Sequence, residues 1–157
     1  MVKETGIIAG GGSTDQATTT EIWNGSNWTE VNDLNKKRRN MRGAGTTTAM
    51  VAYAGFSPPH TSDTELWNGT NWTSVNSLNR SNAYGVGTGT QTSALYIGVE
   101  PFTGATESWN GTNWNELSDL NDPRRQLGGT STAGSTAAIV GGGNKPPNAT
   151  VPNAENW

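Results

Sequence analysis

Four glutamates recur in the chain, each two residues before a tryptophan. They are Glu21, Glu65, Glu107 and Glu155, and the tryptophans that follow them are Trp23, Trp67, Trp109 and Trp157. A pair of carboxylates can hydrolyse a glycoside by general acid–base chemistry, but the two groups then need unlike environments. Equivalent positions of a repeat supply like environments. The pattern therefore favours a structural role, in which each Glu accepts hydrogen bonds from backbone N–H groups or from an Arg of a neighbouring repeat.

The basic residues are concentrated in a few predicted loops. Eight of the 10 fall in the connections between successive repeats: Lys36, Lys37, Arg38, Arg39, Arg42, Arg80, Arg124 and Arg125. The favoured interpretation is that the Arg residues form salt bridges with the repeated Glu residues. The functional alternative is an anion-binding face for an acidic glycan, a phosphorylated ligand or nucleic acid. Its candidate ligand-binding residues are Arg38, Arg39, Arg124, Arg125, His60 and Lys145. The third copy lacks the Arg pair and has Asn82 and Ala83 instead.

The composition excludes several classes of site. The chain has no Cys and a single His, His60, so thiolate zinc sites, cysteine nucleophiles, two-histidine mechanisms and copper oxidase chemistry are not expected. We expect no metal, no cofactor and no enzymatic activity. A formal net charge of -3 does not favour nucleic acid as a partner. No apolar run resembles a signal peptide or a membrane helix, which predicts a cytoplasmic or virion-associated protein with no membrane partner.

An internal repeat of about 44 residues organises the chain. The segment that starts at Thr20 and contains Trp-Asn-Gly-x-x-Trp recurs from Thr64 and from Thr106, and a fourth copy begins at Asn153. A period of this length is typical of a four-stranded blade or a helical repeat, and 21 Gly argue against helices. The predicted organisation is a partial repeat at 1–35, full repeats at 36–79 and 80–121, and a partial repeat at 122–157.

Turn signals divide each repeat into four strands, here called a to d. In the second copy they are predicted at 43–49, 50–54, 64–67 and 71–75. The Asn-Gly dipeptides at positions 24–25, 68–69 and 110–111 predict a type I′ hairpin between strands c and d, because both central residues of that turn need positive φ. Short strands of this kind bury their faces only by stacking on neighbouring repeats.

The repeats resemble the Kelch repeat of β-propellers. The likeness rests on strands that end in Gly-Gly, at 7–11 and 138–142, and on a Trp that opens strand d, at Trp28, Trp72 and Trp114. The two middle copies lack the Gly-Gly, and Trp-Asn-Gly replaces the family's Tyr-Asp-Pro turn. The chain is also similar to uncharacterised repeat proteins of phages and bacteria. The resemblance implies an all-β fold, a propeller of four-stranded antiparallel blades.

The predicted strands run b-c-d, a-b-c-d, a-b-c-d and a-b-c, fewer blades than a Kelch ring. Assembly of identical chains is the favoured explanation, and the alternatives are a small four-bladed ring with gaps or an excerpt of a longer array. A two-fold dimer would hold six or eight blades. We therefore expect a non-enzymatic interaction module that forms a homo-oligomer and binds a glycan or another anionic ligand through its loops. A structural spacer or knob of a fibre is the alternative, and a propeller glycosidase is less favoured.

Overall fold

The protein consists of β-strands joined by turns. The structure, a computed structural model, describes residues 5–12, 14–99, 103–130, 134–145, 147, 149–150 and 152–156. Within these ranges there is no helix, and so none that is long and apolar enough to cross a membrane. The predicted all-β class is thereby confirmed.

Fourteen of the strands form four antiparallel sheets. Sheet 1 contains β1 (Gly6–Ala9), β2 (Thr20–Trp23) and β3 (Trp28–Val31). Sheet 2 contains β4 (Arg42–Gly45), β5 (Met50–Tyr53), β6 (Thr64–Trp67) and β7 (Trp72–Val75). Sheet 3 contains β8 (Val86–Thr90), β9 (Ser93–Val99), β10 (Thr103–Trp109) and β11 (Trp114–Leu117). Sheet 4 contains β12 (Gly128–Thr130), β13 (Ile139–Gly141) and β16 (Ala154–Asn156), and the hairpin β14 (Asn144–Lys145) and β15 (Ala149–Thr150) lies between β13 and β16 in sequence.

The strands of each sheet follow in the order of the chain, as a meander. Sheet 2 has strand c where it was predicted, at 64–67, whereas strand a is shorter than the predicted 43–49. The difference arises because residues 46–49 form the turn to β5, in which the backbone N–H of Thr46 donates to Ala49 O at 2.8 Å. The extra hairpin of the fourth repeat was not predicted.

The hairpin between strands c and d is not the predicted type I′ turn. Trp23 pairs directly with Trp28, so four residues rather than two form the loop. Asn24 Oδ1 accepts hydrogen bonds from the backbone N–H groups of Ser26 and Asn27, both at 3.0 Å. Of the loop residues only Gly25 has positive φ, at 89°. Asn24 therefore stabilises the loop through its side-chain oxygen, which accepts these hydrogen bonds, and not because Asn tolerates a left-handed backbone.

The sheets pack face to face, and an apolar cluster fills each of the three interfaces. Ile7 and Trp72 belong to the cluster between sheets 1 and 2. Tyr53 of sheet 2 packs against Trp114 of sheet 3, with ring centroids 4.8 Å apart. Because a middle sheet is covered on both faces, Val51, Ala52 and Tyr53 are all fully buried on consecutive positions of β5.

The first strands of neighbouring sheets lie side by side. β4 contacts β8, and β8 contacts β12. These three strands therefore form a row along one edge of the stack, and we call them the inner strands. The four sheets of the single chain do not close on one another within the described residues.

Candidate functional site

The carboxylate of Glu65 joins sheet 2 to the connection that leaves sheet 1. Its Oε2 accepts hydrogen bonds from the backbone N–H and the side-chain amide of Asn35, at 2.7 and 2.8 Å. Its Oε1 forms a salt bridge with Arg38 Nη2 at 2.9 Å, and both side chains are fully buried. Arg38 Nη1 also donates to the carbonyl oxygen of Asp63, at 3.0 Å. The pair connects two consecutive sheets rather than two strands of one sheet.

The same arrangement recurs between sheets 3 and 4. Asn121 donates its backbone N–H and its side-chain amide to Glu155 Oε2, at 2.9 and 3.1 Å. Arg124 Nη2 pairs with Glu155 Oε1, and Arg124 is fully buried. Burial alone would raise the pKa of Glu155, but the hydrogen bonds from Asn121 and the charge of Arg124 outweigh it and lower this pKa. Asn121 and its equivalents were not predicted as part of the site, although a Leu-Asn pair follows strand d in each of the first three repeats.

Glu107 has the same place between sheets 2 and 3 but lacks the Arg. Asn79 donates its backbone N–H and its side-chain amide to Glu107 Oε2, at 2.8 and 2.9 Å. The position of Arg38 and Arg124 is taken by Asn82. In the part of the chain that the structure describes, Glu107 Oε1 is buried without a hydrogen-bond partner. Burial raises the pKa of Glu107, and the nearby Glu116 adds to the increase.

This raised pKa predicts an unusual dependence of stability on pH. Since the pKa of Glu107 is higher in the folded than in the unfolded chain, its ionisation costs more in the folded state. The free energy of unfolding therefore falls as the pH rises from the ordinary glutamate pKa through the raised value. We expect Glu107→Gln to gain stability relative to the wild type over this range, in urea unfolding at several pH values. Glu155→Gln should change in the opposite direction, because the pKa of Glu155 is lowered.

A second variant tests the physical cause of this effect. Asn82→Arg places a guanidinium where the neighbouring interfaces have one, and should remove the loss of stability on raising the pH. In a Glu107→Gln background the same Arg has no carboxylate to meet and should bring no gain. A wild-type profile that is unchanged by Glu107→Gln would contradict the assignment.

The tryptophans of strand d also connect consecutive sheets, but as hydrogen-bond donors to the preceding sheet, whereas the glutamates are acceptors. Trp72 Nε1 donates to Thr20 Oγ1 of sheet 1, and Trp114 Nε1 donates to Thr64 Oγ1 of sheet 2, both at 3.0 Å. The tryptophans of strand c act within their own sheet, since Trp67 Nε1 donates to Thr47 O at 3.0 Å and Trp109 Nε1 to Gln91 O at 2.8 Å. The interface between sheets 1 and 2 and the interface between sheets 2 and 3 are thus each stabilised by a buried indole and a buried carboxylate from the later sheet.

Sheet 1 presents the same groups on a face that no described residue covers. Trp28 is 47% exposed, whereas its equivalents Trp72 and Trp114 are 6% and 5% exposed. Ile8 is 52% exposed, whereas Ala52 at the equivalent position is fully buried. Glu21 lies opposite Ile8 in the pairing of β1 with β2, so its side chain belongs to this face. We call the surface formed by Ile8, Glu21 and Trp28 the open face.

The first of the strand-c tryptophans differs from Trp67 and Trp109, which are fully buried. Trp23 is partly buried and packs against Trp28, with ring centroids 5.7 Å apart. Trp157, the predicted counterpart of Trp23 in the fourth repeat, lies outside the described residues.

The candidate ligand-binding residues do not form one exposed basic cluster. Arg38 and Arg124 are buried and bonded to Glu65 and Glu155, so their guanidinium groups are not presented to solvent. Lys145 pairs with Asp122 at 3.4 Å. For Arg38 and Arg124 these contacts are the salt bridges with the repeated Glu residues that the sequence favours.

The remaining candidates lie in paired loops. Arg39 forms an antiparallel bridge with Phe56, and its guanidinium lies 4.9 Å from the centre of the Phe56 ring. His60 packs edge-on against the rings of Phe56 and Tyr84, at 5.5 and 6.3 Å. Arg125 forms a backbone bridge with Asn144. The loops between strands b and c therefore meet the connections between sheets, on a common side of the molecule.

No protein-family model matches the chain, and no curated protein matches it in sequence. Within the described residues, no group of three or more His, Cys, Asp or Glu side chains is arranged to hold a metal ion.

Proposed function

We propose that the protein is a non-enzymatic interaction module, a Kelch-like β-propeller that identical chains complete together. Its recognition surface is the open face of sheet 1. The observation that carries this proposal is the exposure of Trp28, at a position where Trp72 and Trp114 are buried against the preceding sheet. A large exposed aromatic group on the same sheet face as an exposed Ile favours association.

The partner surface is the outer face of sheet 4. Ile139 on this face is 55% exposed, whereas Val51 and Leu95 at the equivalent positions are fully buried by the following sheet. The exposed faces of sheets 1 and 4 are therefore the two halves of the interface that already joins the sheets inside the chain. One difference is that Ala154 stands where Thr20 and Thr64 accept the indole N–H, so this junction forms without that hydrogen bond.

Two such junctions join two chains into a ring of eight sheets. Contacts between unlike faces either close into a ring or continue into a filament, and a two-fold dimer makes both junctions identical. A structural spacer or fibre knob would use the same junction but would bind no further ligand. A glycosidase is less well supported, because the repeated carboxylates of Glu65 and Glu155 are already bonded to Arg side chains.

A charge placed on the open face should separate the chains. We expect wild-type protein to have twice the mass of one chain by light scattering, and Trp28→Glu to have the mass of one chain, because burial of an unpaired carboxylate is strongly unfavourable. Ser77→Glu, on an exposed connection, is the matched control and should leave the mass unchanged. A wild-type protein that remains a folded monomer at high concentration would overturn the proposal.

A further inference from the structure

Strand β1 has a free edge where its counterparts are paired. β5 lies between β4 and β6, β9 between β8 and β10, and β13 between β12 and β16, whereas β1 pairs only with β2 among the described residues. Beside this edge lies a cavity of about 380 Å³. We call it the inner groove, and its walls include Gly6, Ile7, Gly43, Gly45, Met50 and Gly89. Among the residues that the structure describes, no charged side chain lines it.

The inner groove continues the row of inner strands. β12 lies beside β8 and β8 lies beside β4, and the groove lies between β4 and β1, with Thr88 and Gly89 of β8 also in its wall. We propose that the groove binds an extended, uncharged segment of a partner polypeptide, which adds to β1 as a further inner strand. This binding site goes beyond the proposed function. The groove lies along β1 at one edge of sheet 1, whereas Trp28 of the open face lies in β3 at the opposite edge.

The inner strands of the chain indicate the sequence that fits. Their second position is Gly in every case: Gly43 faces Ala52, Gly87 faces Tyr96, and Gly129 faces Val140. A Cβ on Gly129 would approach Val140 Cγ1 to 3.0 Å. Ile8 is the equivalent of Val140 and is larger, so a segment paired with β1 needs Gly opposite Ile8.

The residue before this Gly is expected to be large. A Cβ on Gly87 would lie 2.6 Å from Arg42 Cβ of the preceding inner strand, and one on Gly129 would lie 3.2 Å from Val86 Cγ2. The side chains of Arg42 and Val86 thus pack against the Gly of the next inner strand. Gly43 has no such neighbour, since the atoms nearest to its Cβ position belong to Met50 and Val51 of its own sheet. The terminal Cε of Met50 is the atom nearest to that Cβ position, so a large residue of an added segment would take its place above Gly43 by displacing this flexible side chain.

The third residue is expected to be small. Ala44 and Thr88 hold this position opposite Val51 and Leu95, and on β1 the equivalent residue is Ile7. The segment that fits is therefore large, Gly, small, as in Val86-Gly87-Thr88. Backbone hydrogen bonds along the edge of β1 would provide the affinity, as in other cases of strand addition, and the two side-chain positions would provide the selectivity.

A synthetic peptide tests the proposal directly. We expect a peptide with the sequence of residues 84–90 to bind the chain with 1:1 stoichiometry by calorimetry. The matched peptide with Val in place of Gly87 should bind at least tenfold more weakly. Binding should persist in Trp28→Glu, so failure of the groove and failure of the proposed assembly are distinguishable. Equal affinity for the two peptides, or no binding of the first, would count against the groove.

A fused strand provides a second test that does not depend on peptide affinity. In this fusion, residues 86–93 directly precede Gly6, as they directly precede Ala94 in the native chain. Gly6 and Ala94 have equivalent places in β1 and β9, so the added residues can pair with β1 as β8 pairs with β9. We expect this chain to melt at a higher temperature and to stop binding the peptide, whereas a fusion with Val at the second position should do neither. Continued peptide binding by the first fusion would overturn the proposal. Conversion of a wild-type dimer to a monomer by the fusion would also overturn it, because the occupant would then be a second copy.

Discussion

Replacing Arg38 with alanine is expected to lower the free energy of unfolding by about 3–5 kcal/mol, because it leaves a buried carboxylate without its counter-charge. The Arg38 and Glu65 side chains are both fully buried, with Nη2 and Oε1 2.9 Å apart. Burial also lowers the pKa of Arg38, while the charge of Glu65 opposes this. The loss should be measured by urea unfolding at neutral pH.

Two further variants show where the loss arises. Arg80→Ala removes a salt bridge with Glu116 whose side chains are about half exposed, and should change stability little. Adding Glu65→Gln to Arg38→Ala should recover part of the loss, since the carboxylate is then no longer charged. A loss for Arg80→Ala equal to that for Arg38→Ala would contradict the assigned role of burial.

The same Arg38 variant separates the two interpretations of the basic residues. If Arg38 acts within the protein, retention on heparin should be unchanged while the melting temperature falls. The quadruple change of Arg38, Arg39, Arg124 and Arg125 to Ala extends the test to all four. A large fall in heparin retention, with weaker salt dependence and an unchanged melting temperature, would support the anion-binding face instead.

Replacing Trp72 with alanine is expected to lower the free energy of unfolding by about 3–5 kcal/mol as well. The side chain fills the interface between sheets 1 and 2, and its loss also removes the hydrogen bond to Thr20. Thermal and urea unfolding of the variant provide the measurement.

Trp28→Ala is the matched control for this change. Trp28 has the same place in its repeat but is 47% exposed, so its removal should cost the single chain much less. A loss for Trp28→Ala that grows with protein concentration would report the contribution of Trp28 to assembly. Equal losses for the two variants in dilute protein would contradict the description of the open face.

The sequence determined the strand content and the spacing of the repeats. Short apolar segments favour strands, and the Gly and Asn residues between them favour turns. These are short-range preferences of the chain, so they can be read from a pattern that repeats about every 44 residues. Strand c at 64–67 was accordingly found at the predicted residues. The repetition of Glu was also sufficient to favour a structural role for Glu65, because a residue present in every copy is expected to serve the structure that the copies share.

The hairpin between strands c and d shows where local reasoning failed. The Asn-Gly dipeptide was interpreted as a two-residue turn, but the pairing of Trp23 with Trp28 leaves four residues in the loop. Register depends on which side chains face each other across the two strands, and a dipeptide signal does not contain that information.

The partners of the charged groups were decided only by the tertiary structure. Arg38 meets Glu65, 27 positions later, because the packing of sheet 1 on sheet 2 brings a connection of one sheet against strand c of the next. The same packing buries Glu107 beside a connection that has Asn82 in place of the Arg, and it leaves Trp28 exposed. Repeated residues of identical type therefore differ in burial and in charge partners because their neighbours along the stack differ.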